Sequence, residues 1–330
     1  PVVAGRNQLR LDVIALCDHQ SWLWRPDGLT DEELLAAIAA KQKGQAWGAD
    51  RPPDLELLDQ AVTAGLEEAI VVDVTAADGM EPVLDRALEL GYGVVLANKK
   101  PLAGPWATAQ GYFNNPRLRH ESTVGGGQPV IATLRYLLDT NDPPLRIEGQ
   151  LSGTLGFICG RLDDGVPFSQ ALAEAKAKGY TEPDPREDLG GRDVMRKMMI
   201  LGRMAGWPLE ESDLEVESLY PRALAHLSVR EFMAASVAID PSLRDRVNAA
   251  GAAGEVLRYV AELEGGKGSV GLKPVPMESP LANLKYISFR TRLYDDPPLM
   301  ICGKGAGVGM TAAGVLGDLI GLAREWQSEE

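Results

Sequence analysis

Strand-like and helix-like runs alternate through the amino-terminal third of the chain, and that order is the tightest constraint on its fold. LDVIALCD (Leu11 to Asp18), EEAIVVDVT (Glu67 to Thr75) and YGVVLANKK (Tyr92 to Lys100) are β-rich and end in polar residues. Between them lie helical patterns, DEELLAAIAAKQKG from Asp31 and EPVLDRALELG from Glu81, each stopped by glycine. Strands in this order need crossover helices, so the pattern predicts a parallel, doubly wound sheet of the Rossmann type. Ligands bind such sheets beyond the carboxyl ends of the strands, which singles out Thr75 and the Asn98-Lys99 pair.

A dinucleotide-binding sheet is expected to open with a strand and a G-x-G-x-x-G turn. Neither is found: Gly125-Gly126-Gly127 and the run Gly303, Gly305, Gly307, Gly309 do not obey that spacing. The chain starts at Pro1, and the expectation is that it begins after the first strand and its glycine turn. About 30 residues would then precede it, by the length of a βαβ unit.

From Glu121 the texture changes. ESTVGGGQPVIATLRYLL reads as a glycine-rich turn feeding an amphipathic helix, and RIEGQLSGTLGFI (Arg146 to Ile158) as a strand, a small-residue turn and a helix. Helices then mix with β-rich segments such as KYISFRTRLY (Lys285 to Tyr294), predicting an α+β domain. A last helix, TAAGVLGDLIGLAREW from Thr311, is expected to pack back on the first domain. The predicted organisation is a nucleotide-binding domain over 1–122, amino-terminally incomplete and completed by 303–330, and a second, α+β domain over 123–302, to which the resemblance described below assigns substrate binding and dimerisation.

The densest polar segment is GYTEPDPREDLGGRDVMRK, Gly179 to Lys197. A helix reading FSQALAEAKAK from Phe168 leads into it and stops at Gly179. Pro183 and Pro185 force an extended path that presents Glu182 and Asp184. In the helix that follows, Asp193 and Lys197 stand four apart and emerge on one face. Such a pair is also a common surface ion pair worth a few tenths of a kcal/mol. The whole string, however, resembles the signature of homoserine dehydrogenase: G-Y-x-E-P-D-P, an acidic pair, G-x-D, and a lysine four residues on.

Other segments resemble that family in the same order. ANKKPL (Ala97 to Leu102) matches its A-N-K, ESTVGGGQP its E-x-x-V-G-x-G-x-P, SGTLGFI (Ser152 to Ile158) its G-T turn, and GKGAGVGMTAAGVLGD from Gly303 its G-x-G-A-G segment. The resemblance implies NAD(P)H-dependent reduction of L-aspartate 4-semialdehyde to L-homoserine, on the route to threonine, methionine and isoleucine. It implies Lys197 as proton donor with Lys99 assisting, and Gly179, Glu182, Asp188, Asp193, Gly153 and Thr154 around the substrate. Thr75, Ala76, Lys99 and Gly307 would meet the cofactor. A sodium ion is implied on oxygens of Glu121, Val124, Gly126 and Gln128, although Gln128 replaces a more usual apolar residue. Each glycine segment is equally a tight turn, a helix cap or a close approach of two backbones. A homodimer is implied too, with the segment near Lys285 as its expected contact.

Composition narrows the rest. A net charge of −14 argues against a nucleic-acid partner. No run approaches the length of about eighteen apolar residues that would span a bilayer, and PVVAGRNQLR has no signal-peptide core, so a cytoplasmic location is expected. Cys17, Cys159 and Cys302 form no C-x-x-C, and three histidines leave lysines and carboxylates as the first candidates for proton transfer. Aspartate semialdehyde dehydrogenase would need a nucleophilic cysteine, and Cys159 lies in an apolar stretch. A nonenzymatic dinucleotide sensor would lack the lysines and acids. The chain stops soon after the last helix, so a regulatory module of about 70–80 residues is not expected. Cofactor preference stays open between Asp18, which suits a ribose hydroxyl, and Arg25, which suits a 2′-phosphate.

Overall fold

Val94, Val95 and Leu96 are wholly buried, and the strand they form organises the first half of the computed structural model, which describes residues 6–329. In chain order the elements of this half are β1 (Ala15–Cys17), β2 (Ser21–Trp24), α1 (Asp31–Gln42), β3 (Ala49–Asp50), α2 (Asp54–Thr63), β4 (Ile70–Asp73), α3 (Glu81–Glu89), β5 (Gly93–Leu96), α4 (Lys100–Ala103), α5 (Trp106–Phe113) and β6 (Leu118–Arg119). The strands β4, β5 and β6 form a parallel sheet in that order, with Val72 opposite Val95 and Val94 opposite Leu118. A strand covered on both faces must be apolar on both, which explains the unbroken GVVL of β5. The buried Val83, Leu84 and Ala87 are the inward stripe of the neighbouring helix α3.

The amino-terminal run departs from the expected path. Of Leu11 to Asp18, only Ala15–Cys17 is a strand, and it pairs antiparallel with Ser21–Trp24 in a separate sheet, β1-β2-β3. Asp18 makes the turn locally, accepting the backbone N–H groups of Gln20 and Ser21 at 2.9 Å each. A hairpin satisfies the strand from a neighbour in sequence, where a parallel partner needs a crossover. Helix α1 does match its pattern, and Thr30 and Glu33 cap it reciprocally.

The second half contains α6 (Val130–Asp139), β7 (Arg146–Gly149), α7 (Gly153–Asp163), α8 (Phe168–Ala177), α9 (Arg186–Leu189), α10 (Arg192–Met204), β8 (Leu214–Val216), α11 (Val229–Ala235), α12 (Asp240–Ala252), β9 (Glu255–Glu264), β10 (Lys267–Pro276), β11 (Tyr286–Arg290), β12 (Leu299–Cys302) and α13 (Val308–Glu329). Its sheet runs β12-β11-β7-β9-β10-β8 and is antiparallel except where β8 meets β10. Gly265-Gly266, both at positive φ, turn the long β9–β10 hairpin. Helices α7, α10 and α12 pack against β9.

Helix α13 returns to the first half. Leu322 is fully buried beside Gly93, Arg117 stacks 5.5 Å from the Trp326 ring, and Arg119 pairs with Glu325. A Cβ on Gly127 would overlap the Met310 carbonyl, so that glycine is what lets the two segments approach.

Candidate active site

Two lysines from different halves converge on one carboxylate. Lys99 leaves the end of β5 and caps α4, while Asp193 and Lys197 lie on the first turns of α10. The buried residues of α10, from Val194 and Met195 through Ile200, Leu201 and Arg203, form its inner side. That leaves the face with Asp193 and Lys197 toward Lys99. Lys197 Nζ lies 2.6 Å from Asp193 Oδ2 and donates to the Leu151 carbonyl at 2.8 Å. Lys99 Nζ lies 3.4 Å from Asp193 Oδ1. The Asp193 side chain is 49% exposed, against 29% for Lys99 and 17% for Lys197. Desolvation raises the Asp193 carboxyl, but the two ammoniums outweigh it and hold the group below the ordinary carboxylate range.

Gly191, at φ 71°, starts α10. A Cβ there would overlap the hydroxyl of Tyr259, which donates to the Glu217 carbonyl at 2.7 Å. The second glycine of the Gly190-Gly191 pair is therefore required by packing as well as by backbone sign.

The loop before α10 is tied down at several points. Asp188 accepts the Glu182 N–H at 2.8 Å, and its other oxygen lies 2.8 Å from the Thr154 hydroxyl. Burial pushes the Asp188 carboxyl up, against the pull of those two partners. Lys176 Nζ donates to the Pro183 carbonyl at 2.6 Å. The Asp184 carboxylate is spent on Arg186, which holds it low and uses its other nitrogen on the Ala225 and Leu227 carbonyls. Asp184 is thus a loop anchor, whereas Glu182 and Gly179 stay exposed.

Thr154 corrects one expectation. Its hydroxyl, which the resemblance turned toward the substrate, faces inward and donates to the Tyr180 carbonyl at 2.6 Å. The turn still opens at Gly153, which is exposed, and Ser152 caps α7 by accepting the Leu155 N–H at 3.1 Å.

At the end of β4, Thr75 and Ala76 are exposed. Asn98 braces the loop, donating to Asp73 Oδ2 at 3.0 Å and the Ala77 carbonyl at 2.9 Å, and accepts the Lys100 N–H. Lys100 pairs with Asp78, leaving Lys99 as the lysine of the pair that faces Asp193. Gly307, at φ 107°, has no atom within 4 Å of where a side chain would begin. Asp18 and Arg25 carry internal partners instead of an open readout: Asp18 with Lys41 and the Trp47 indole, Arg25 with Glu33.

Glu121, Val124, Gly126 and Gln128 lie in a second centre, against α13. Both Glu121 oxygens cap α6, accepting the N–H groups of Ile131 and Ala132 at 2.7 and 2.8 Å. Glu121 N–H donates to Asp318 at 2.7 Å. The expected side-chain ligand is therefore engaged by backbone donors, and the Gln128 carbonyl accepts the Val130 N–H. Gly126 contacts the Gly305 backbone, which brings this turn beside the Gly307 segment. Among the described residues no cluster of His, Cys, Asp and Glu has metal-holding geometry.

Residues that the sequence reading passed over include Gly191, Lys176, Asp318 and Arg203. For Gly191 the signal was present, in the doubled glycine before the helix. The others depend on partners far along the chain.

A family model described as homoserine dehydrogenase matches residues 129–320. The bifunctional aspartokinase/homoserine dehydrogenase of Haemophilus influenzae is 36% identical over 96% of this chain and 39% of its own length. Homoserine dehydrogenase of Paracoccidioides brasiliensis is 40% identical over 76% of this chain and 73% of its own. The chain spans about two fifths of the first relative and less of the maize bifunctional enzymes, at 29%. Among solved structures, a hyperthermophilic archaeal homoserine dehydrogenase in complex with NADPH superposes with a TM-score of 0.73 at 26% identity, covering 98% of this chain and 92% of that one.

Proposed function

Because this chain belongs to the homoserine dehydrogenase family, we propose that it interconverts L-homoserine and L-aspartate 4-semialdehyde with a nicotinamide cofactor. The observation that carries the reading is the convergence of Lys99 and Lys197 on Asp193 beyond the carboxyl end of the central parallel strand β5. The cofactor, when bound, delivers hydride to the carbonyl carbon or takes it from the alcohol. The residues near its expected path fit such a group: Thr75 and Ala76 are exposed after β4, Lys99 follows the neighbouring strand β5, and Gly307 faces open space.

The chain's own contribution is proton handling and grip. Lys197 Nζ, fixed by Asp193 and the Leu151 carbonyl, holds the proton that the substrate oxygen gains on reduction. Lys99 stabilises negative charge on the same oxygen and relays protons. Asp193 keeps both ammoniums in register, which is why its carboxylate must remain ionised. The exposed Glu182 suits the substrate ammonium, with Asp188 fixing its backbone, and the amide end of α7 at Gly153 and Thr154 suits the substrate carboxylate. Gly179 adds backbone contact.

The test is an absorbance assay of homoserine oxidation with NADP and with NAD, comparing kcat/KM for the two. No activity above background with either cofactor, in a protein that binds both, would favour a nonenzymatic sensor. We also read the chain as a nucleotide-binding part (1–122 with 303–330) and a substrate part (123–302). It would work as a cytoplasmic homodimer in contact near Lys285, which light scattering and a Lys285→Glu variant test. Sodium is proposed at the Glu121–Gln128 turn, where left-handed Gly125 and Gly126 shape the carbonyls; equal activity in sodium and in a bulky organic cation would remove it.

A further inference from the structure

Arg203 is buried to 1% exposure, the largest fully buried side chain among the described residues, and it joins the two halves. Its Nη1 donates to the carbonyls of Leu102 at 2.6 Å and Gly104 at 2.7 Å, at the end of α4. Nε and Nη2 both donate to the Leu209 carbonyl, and Nη2 lies 3.6 Å from Glu210 Oε2. The guanidinium sits 5.5 Å from the Trp106 ring centre, and Glu210 accepts the backbone N–H of Trp106 at 3.0 Å. All of these partners belong to the turn that follows Lys99 or to the segment that follows α10.

Carrying a charge into this position is costly, and an apolar side chain of similar volume would pack there without the desolvation penalty. What an apolar side chain would not do is set distance and angle through planar, directional donors. The two lysine contacts differ in what they need from that. Lys197 reaches Asp193 within a single helix, so the 2.6 Å contact is indifferent to neighbours. Lys99 reaches Asp193 across elements, at 3.4 Å, and depends on how α4 sits on α10.

We infer that Arg203 is a positioning residue: it docks the α4 turn on α10 so that Lys99 reaches the carboxylate already held by Lys197. The inference rests on the reading of Lys99 and Lys197 as the reacting lysines. It is distinct from a general stabilising role because it acts through Lys99.

The test is a double-mutant cycle in the full chain, crossing Arg203→Met and Arg203→Lys with Lys99→Ala, with homoserine oxidation and thermal melting as readouts. In the wild-type background Arg203→Met is expected to lower kcat about tenfold or more, with a smaller change in homoserine KM and partial rescue in Arg203→Lys. In the Lys99→Ala background the same changes are expected to cost less than about threefold, because the contact they would loosen is already gone. Should Arg203→Met fail to fold, Trp106→Leu, which removes the ring and spares the hydrogen bonds, takes its place in the cycle. Losses that multiply fully in the Lys99→Ala background, or an unchanged kcat in a folded Arg203→Met protein, overturn the proposal and leave the reading of Lys99 intact. A Lys99→Ala enzyme with wild-type kcat overturns both.

Discussion

Two acidic centres among the described residues treat their carboxylates in opposite ways. Asp193 is half exposed, faces two ammoniums and is held below the ordinary range. Asp318 and Glu121 are shielded, and burial pushes both up, Asp318 to about 7. Glu121's partners are chiefly backbone N–H groups, and Arg135 and Arg119 pull less on Asp318 than burial pushes. A carboxylate matched with cations stays charged and can hold those cations for chemistry. One matched with neutral donors satisfies geometry, capping a helix or docking one, and gives up part of its acidity.

The difference can be broken most sharply at Lys197. Lys197→Ala is expected to lower kcat about 10²- to 10⁴-fold while NADP affinity, read by fluorescence titration, stays within about threefold. More than about a tenth of wild-type kcat would take Lys197 out of the role. Asp193→Asn, which leaves two ammoniums facing a neutral amide, is expected to cost about 10- to 100-fold in kcat/KM. Since the two ammoniums hold the native carboxyl below the ordinary carboxylate range, the variant should lose activity across the working pH range without moving the acid limb; a shifted limb would make Asp193 itself the titrating group.

Glu182→Ala sharpens the comparison from a third position, a carboxylate with no internal partner among the described residues. Homoserine KM should rise about 3- to 30-fold with kcat nearly unchanged, and a loss confined to kcat would contradict the binding role.

The smallest effect lies at the second centre. The folded Asp318 carboxyl titrates at about 7, above its ordinary value of 3.8, so between those values the folded protein keeps a proton that the unfolded chain has released. Its contribution to stability is complete at low pH and falls as pH rises through about 7. Asp318→Asn removes that slope: relative to wild type it should gain stability between pH 5 and pH 8, on the order of 1–3 kcal/mol, with kcat within about twofold. A stability difference between variant and wild type that is the same at pH 5 and pH 8, measured by denaturant unfolding, would refute it.

Much of this was legible along the chain where the cause is local. Helix α1 follows its pattern from Asp31, α8 ends where Gly179 turns left-handed, and Asp193 and Lys197 share a face by helical period alone. The amino-terminal strand was misread because a β-rich run does not name its partner, and Asp18 folds it into a hairpin instead of a parallel sheet. Thr154 was expected to face the substrate and Glu121 a sodium ion, and the hydroxyl and carboxylate are instead engaged within the fold. What they anchor was not visible, since Tyr180 and Ile131 become neighbours only on folding.

The sequence by itself determined the element types, the glycine turns, the acidic segment and hence the family, because capping, helical periodicity and backbone sign act within a few residues. Only the tertiary structure decided that Lys99 meets Asp193, that Arg203 holds the α4 turn against α10, and that Glu121 serves a helix end. Those are contacts between segments far apart in the chain, and which ones form depends on how the sheets and helices pack, which no short window contains.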